Sequence, residues 1–113
     1  MKYELTTLAR IQQQRAQKCD PASIPWGVAV AVLWHYDDRK WHAYSPKTSH
    51  VRRRAPEPGS FEVALVNAIA IADPFNQARL AQGFADYVMA VHMVTLTDTG
   101  LDKLRLIRDG GSR

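Results

Sequence analysis

The sequence predicts a single α+β domain: an N-terminal helix, a small antiparallel β-hairpin or sheet, and a helical C-terminal half packed on it. Three patterns lead there. Residues 3–19 carry apolar side chains at three- and four-residue steps, residues 26–36 alternate bulky with small side chains, and residues 61–94 return to helical spacing. A chain of 113 residues fits one compact domain. Its composition, 46% hydrophobic and 23% charged, excludes a fibrous or wholly disordered chain.

In the first element Leu5, Leu8, Ala9, Gln12, Ala16 and Cys19 fall along one side of a helix, with Arg10, Gln13, Gln14, Arg15 and Lys18 on the other. Asp20-Pro21 ends it near Cys19, because a residue before proline avoids helical angles. After a linker, residues 21–25, Val28, Val30, Val32, Trp34 and Tyr36 fall on one face of a strand and Ala29, Ala31, Leu33 and His35 on the other. The polar run Asp37-Asp38-Arg39-Lys40 makes a turn, and residues 41–45 resume the alternation as the second strand of the hairpin.

Residues 45–60 contain three prolines and almost nothing for a core, so they read as a long loop, a class of segment that usually carries function. Beyond it, Ser60 serves as N-cap of a helix over 61–72 that is apolar almost all round and therefore central to the core, although Ala-Ile-Ala-Ile-Ala also suits a buried strand. Asp73 caps the next helix with Pro74 at its first position, and Gly83 ends that helix near Gln82 by adopting the left-handed conformation. A further helix spans residues 84–94. Residues 95–107 form a helix bearing Leu101, Leu104 and Ile107, or alternatively a hairpin turning at Thr99-Gly100. Residues 109–113 read as a frayed tail.

Charge is unevenly placed. Residues 1–54 carry ten basic and four acidic side chains, whereas residues 55–113 carry five and seven. Much of the basic surplus sits on the turn and the long loop, which makes Arg39, Lys40, Lys47, His50, Arg52, Arg53 and Arg54 the candidate contacts to a partner or to phosphate. Trp34 and Trp41 flank the turn, either as a stacking platform beside this patch or as cross-strand neighbours that stabilise the hairpin.

Little points to catalysis. The single cysteine, Cys19, sits on the apolar side of its helix as an inert thiol, Asp37 and Asp38 point apart on a solvated turn, and no glycine loop cradles phosphate. No catalytic residue, metal or cofactor is expected. The longest nearly unbroken apolar run, residues 26–34, is far short of the ~20 residues of a membrane span. The N-terminus lacks an apolar signal segment, and a lone cysteine suits a reducing compartment, so a soluble cytoplasmic protein is expected.

Two resemblances accompany these readings. Residues 94–104, with Leu96-Thr97, two intervening residues and then Gly100, resemble the strand-to-helix exit of winged-helix repressors, but the preceding helix offers Asp86 and His92 where a recognition helix is basic. Asp73, Asn76, Arg79-Leu80, Gly83-Phe84 and Tyr87-Val88 resemble a segment found in small uncharacterised proteins of phages and other mobile elements, with Ala85 and Asp86 where that pattern has Pro and Glu. This second resemblance covers about sixteen residues. It implies a protein that binds a host complex, such as a defence system, and inhibits or redirects it. The expected partner is a host protein complex with an acidic surface, with nucleic acid as the alternative. An open hairpin edge also allows pairing with a second copy of the chain.

Overall fold

The computed structural model describes residues 2–37, 41–43, 52–54 and 57–110. Helix α1 runs Lys2–Lys18 and ends where expected, one residue before Cys19. Asp20 then accepts a hydrogen bond from the Ala22 amide at 3.0 Å and opens a 3₁₀ turn over Pro21–Ser23. Its Cys19 neighbour is half-buried, with the thiol directed at the Asp20 carbonyl at 3.6 Å.

The largest departure from expectation follows at once. Trp26–Tyr36, expected as the first strand, is helix α2, entered through Pro25. Every residue from Val28 to Leu33 is buried. The apparent two-residue period was an alternation of apolar with apolar, since the small face was itself Ala, Ala and Leu. A segment apolar on every side is satisfied at the centre of a bundle, and burial there overrides the strand preference of valine. The alanines let neighbouring helices approach closely.

Strands β1 (Trp41–Ala43) and β2 (Arg52–Arg54) pair antiparallel in a two-stranded ribbon, with Trp41 opposite Arg54, His42 opposite Arg53 and Ala43 opposite Arg52. The chain then enters α3 (Ser60–Ile71), α4 (Pro74–Leu96) and α5 (Gly100–Gly110). Helix α2 contacts α3, α4 and α5, while α1 lies along α4. The buried core draws its residues from these helices and from Ile24. The expected α+β class, with a helical half packed on a sheet, is therefore overturned: α2 occupies the place assigned to the sheet.

Two helices also change role in detail. Only Leu65, Val66 and Ile69 of α3 are buried, so α3 is a flanking helix and not the central one. Gly59 precedes it, and Ser60 is its first helical residue and not its cap. In α4 the expected start holds, with Asp73 Oδ1 accepting from the Asn76 amide at 2.8 Å and Pro74 in the first turn. The expected break at Gly83 is a kink one residue later, at Phe84 (φ −136°, ψ 49°). No described residue has a positive φ, and a Cβ on Gly83 would meet open space, so Gly83 is not the expected left-handed cap. The Phe84 ring sits 5.9 Å from Phe61 and 6.5 Å from Tyr87, which holds the bend against α3.

Of residues 95–107, the first two end α4, residues 97–99 make a turn, and the helical alternative holds from Gly100 on. Val94–Leu96 end α4, so no strand precedes α5 as the winged-helix likeness requires, and α5 continues through Asp109 into the expected tail. The α4–α5 turn is tight enough that a Cβ on Gly100 would overlap the Met93 carbonyl oxygen at 1.7 Å. Gly100→Ala is accordingly expected to lower the unfolding free energy by about 1–3 kcal/mol through forced backbone displacement. A fall in the urea midpoint at unchanged slope would show it.

Candidate binding site

The chain between α2 and α3 holds the basic residues singled out in the sequence. Over residues 38–56 six Lys and Arg face a single acidic residue, Asp38, while the remainder of the chain has nine basic and ten acidic side chains. The whole net charge of +4 thus resides in this arm, and the helical body is close to neutral. Within the arm Arg52, Arg53 and Arg54 form β2, placed by the register opposite Ala43, His42 and Trp41. Arg39, Lys40, Lys47 and His50 lie outside the described residues. So does the proposed turn beyond Asp37.

Trp34 is on the last turns of α2 and Trp41 on β1, so the two do not form the expected cross-strand pair; the residue opposite Trp41 is Arg54. Trp34 is half-buried and, with His35, borders an open groove of about 460 Å³ whose other wall is Glu57, Pro58, Ser60, Val63, Ala64 and Asn67. The groove marks the root of the arm, where the chain leaves α2 and returns to α3. His35 is exposed and packs edge-on against Tyr36, ring centroids 4.6 Å apart. Burial raises the Tyr36 hydroxyl pKa above its ordinary value.

At the same root lies the site that sequence reasoning missed. Asp37, expected to be a solvated turn residue, has a side chain with 0% exposure. Its Oδ1 accepts from Arg105 Nη2 at 2.8 Å, and its Oδ2 accepts from Arg108 Nη1 at 3.1 Å and Arg105 Nε at 3.2 Å. Arg105 also reaches Asp102 at 3.1 Å, and Arg108 Nε donates to Asp109 at 2.7 Å. These hydrogen bonds and charges, above all those of Asp37, raise the Arg105 pKa despite its partial burial. Main-chain contacts complete the clamp. The Asp37 amide closes α2 on the Leu33 carbonyl, and Trp26 Nε1 donates to the Arg108 carbonyl at 3.1 Å. The signal for this was present: Arg108 continues the apolar stripe of Leu101 and Leu104 at helical spacing, and an arginine on a buried stripe requires a carboxylate partner.

A second buried polar group faces α1. Gln77 Nε2 donates to the Ile69 carbonyl at 3.0 Å, leaving Gln77 Oε1 to accept at 2.8 Å from His92 Nε2, which therefore carries the ring proton. Burial lowers the His92 pKa. Gln12 Nε2 donates to the Pro74 carbonyl at 3.0 Å and fastens α1 to the start of α4. His92 and Gln12 both line a small cleft of about 220 Å³ between α1 and α4.

Among the described residues no group of three or more His, Cys, Asp or Glu is placed to hold a metal, and no helix is long and apolar enough to cross a membrane. The residues of the mobile-element resemblance have visible structural duties: Asp73 caps α4, Asn76 accepts from Arg79, Gly83-Phe84 make the kink, and Val88 enters the core. No family model, curated protein or solved structure matches the chain.

The clamp and the histidine generate separate tests. Asp37→Ala takes from the buried Arg108 guanidinium one of its two carboxylate partners, leaving Asp109, and a loss of about 3 kcal/mol in unfolding free energy, the low end for a broken buried pair, is expected. Chemical denaturation measures it, with Asp102→Ala as an exposed comparison expected to cost well under 1 kcal/mol. For His92, a folded pKa below the ordinary 6.5 means that the unfolded chain binds more protons in the interval between the two values. Its contribution is complete above pH 6.5 and is lost as pH falls through the lowered folded pKa. His92→Gln, which keeps a neutral donor, should remove that part of the pH dependence when the two proteins are compared by thermal melts.

Proposed function

We propose that this chain is a small non-enzymatic binding protein of phage or mobile-element origin, and that its arm over residues 38–56 grips an acidic surface on a host macromolecular complex, which it inhibits or redirects. One observation carries the reading. The arm has a net charge of +5 while the body is nearly neutral, and Arg105 and Arg108, which might have extended a basic surface, are occupied by Asp37, Asp102 and Asp109. Charge concentrated on one segment accelerates encounter with an oppositely charged partner and selects its orientation. The resemblance of residues 73–88 to segments of mobile-element proteins supplies the host as the setting.

The ribbon favours a second reading, nucleic acid. A two-stranded antiparallel ribbon fits the major groove of B-form DNA, and arginine is the side chain best matched to phosphate oxygens and guanine edges. Both readings use Arg52, Arg53 and Arg54, and one set of measurements separates them. For a protein partner, capture from host lysate returns one stoichiometric complex that is lost with the triple variant Arg52→Ala, Arg53→Ala, Arg54→Ala, while arbitrary DNA and RNA show no shift at low salt. For nucleic acid, fluorescence anisotropy shows binding that weakens steeply between low and moderate salt, with a slope that flattens by about 2–3 in the triple variant. Capture and anisotropy that are both unaffected by the triple variant would sink both readings.

A further inference from the structure

We propose that the cleft between α1 and α4 is a binding site for a small, uncharged, largely apolar molecule that carries an N–H or O–H donor, of the size and chemistry of indole or phenol. The course of α4 makes the cleft. Gln77 and His92 are 15 residues apart, about 22 Å along a straight helix, yet their side chains are hydrogen-bonded at 2.8 Å. The kink at Phe84 therefore doubles α4 back on itself, and α1 is fastened to both halves, through Gln12 to Pro74 and through Gln13 to Leu96. Where α1 faces the two halves, α4 presents Ala78, Ala81 and Ala85. Their short side chains leave a space of about 220 Å³, walled further by Leu8, Val88 and Met89.

Two buried polar side chains line the same space, Gln12 at 6% exposure and His92 at 5%. Each has its N–H turned elsewhere. Gln12 Nε2 donates to the Pro74 carbonyl and His92 Nε2 to Gln77, and neither Pro74 nor Gln77 lines the cleft. The polar atoms that remain, Gln12 Oε1 and His92 Nδ1, are both acceptors, since the Pro74 carbonyl fixes the amide and the proton on Nε2 fixes the tautomer. Burial also disfavours the charged ring, which keeps Nδ1 able to accept. Neither atom has a partner among the described residues. No described side-chain nitrogen or oxygen is at once unpartnered and sealed from solvent, so both acceptors keep access to the space beside them. An acceptor on a buried side chain that lacks a donor carries a desolvation cost that a fitting donor removes.

Size, walls and acceptors together define the ligand class. An apolar cavity of about 150 Å³ holds one benzene, so the space here has room for a substituted ring or two fused rings. Aliphatic walls favour such a ring, and the polarizable Met89 sulfur suits contact with an aromatic edge. Two acceptors with no buried donor select a molecule that donates, and a carboxylate or phosphate at that end would meet lone pairs. A cation is disfavoured by Arg15, which is exposed at the rim. The cleft belongs to the helical body and shares no residue with the arm, so the site stands independently of the function proposed for the arm.

Titration of the full chain with indole and with phenol to low millimolar concentration, followed by amide correlation NMR spectra, tests the proposal. The expected result is saturable shifts that cluster on residues 8–15 and 78–92. N-Methylindole keeps the ring and loses the donor, and should bind roughly five- to tenfold more weakly than indole, the worth of one hydrogen bond. Ala81→Leu fills the space and should abolish binding while the spectrum stays dispersed and the thermal midpoint does not fall. Ala85→Leu, at an exposed position on the wall, repeats the test without entering the core. Absence of saturable shifts with both indole and phenol overturns the proposal, as do shifts scattered over the whole surface. Equal affinity for indole and N-methylindole overturns it too, since the acceptors then play no part, and so do filled variants that fold and still bind.

Discussion

The Asp37 carboxylate, buried between the guanidinium groups of Arg105 and Arg108, is the constraint around which the other elements are arranged. A carboxylate removed from water costs several kcal/mol unless charge and hydrogen bonds replace the solvent. Here three hydrogen bonds from two arginines do so, and those arginines belong to the last helix of the chain. The position of α5 is thereby tied to the end of α2 across 68 and 71 residues of sequence. Because α2 also contacts α3 and α4, fixing its end fixes the centre of the bundle. Hydrophobic burial alone lets helices slide and rotate at modest cost, whereas a bidentate ion pair tolerates little displacement. The clamp therefore supplies the geometric specificity that a small core of valine, alanine and leucine supplies poorly.

Two segments compete for the centre of such a core, and the competition explains which parts of the fold were legible. Residues 26–36 and 61–71 are both apolar almost all round, and a bundle of this size has one central position. Reading the first as a strand freed that position for the second, and both assignments then went astray together. Length was the usable signal. Eleven residues, apolar but for His35 and bounded by Pro25 and Asp37, are long for a strand and ordinary for a helix. Where the chain carries its own punctuation the reading held: Asp20-Pro21 ends α1, Asp73-Pro74 opens α4, and Leu101, Leu104 and Ile107 define the buried side of α5. Gly83 marked a break correctly but not its geometry, since the kink falls on Phe84 and is held by aromatic neighbours distant in sequence.

For the candidate site, composition located the basic arm because charge density is a local property that needs no knowledge of packing. The pairing of Arg52 to Arg54 with Trp41 to Ala43 was not legible, since the expected partner of the second strand was the segment that is α2. Asp37 was missed for a related reason. A turn aspartate looks solvated until a partner seventy residues away is brought beside it. The exposed face of α3 was invisible for the converse reason, because an apolar residue in a sequence is assumed to be covered, and only the positions of the neighbouring helices show that Phe61 and Ile71 are not.

The arrangement at the root of the arm has an evolutionary corollary. Residues 34–35 and 57–58 share one groove, so the two points where the arm joins the body are neighbours, and Asp37 locks the outgoing one in place. Closing a loop between fixed neighbouring points has an entropy that grows only with the logarithm of its length, about 0.6 kcal/mol for each doubling. Insertions, deletions and charge changes inside the arm consequently leave the helical body almost untouched. The body thus behaves as a frame in which the length of chain between Asp37 and Glu57 can change without renegotiating the packing of the helices.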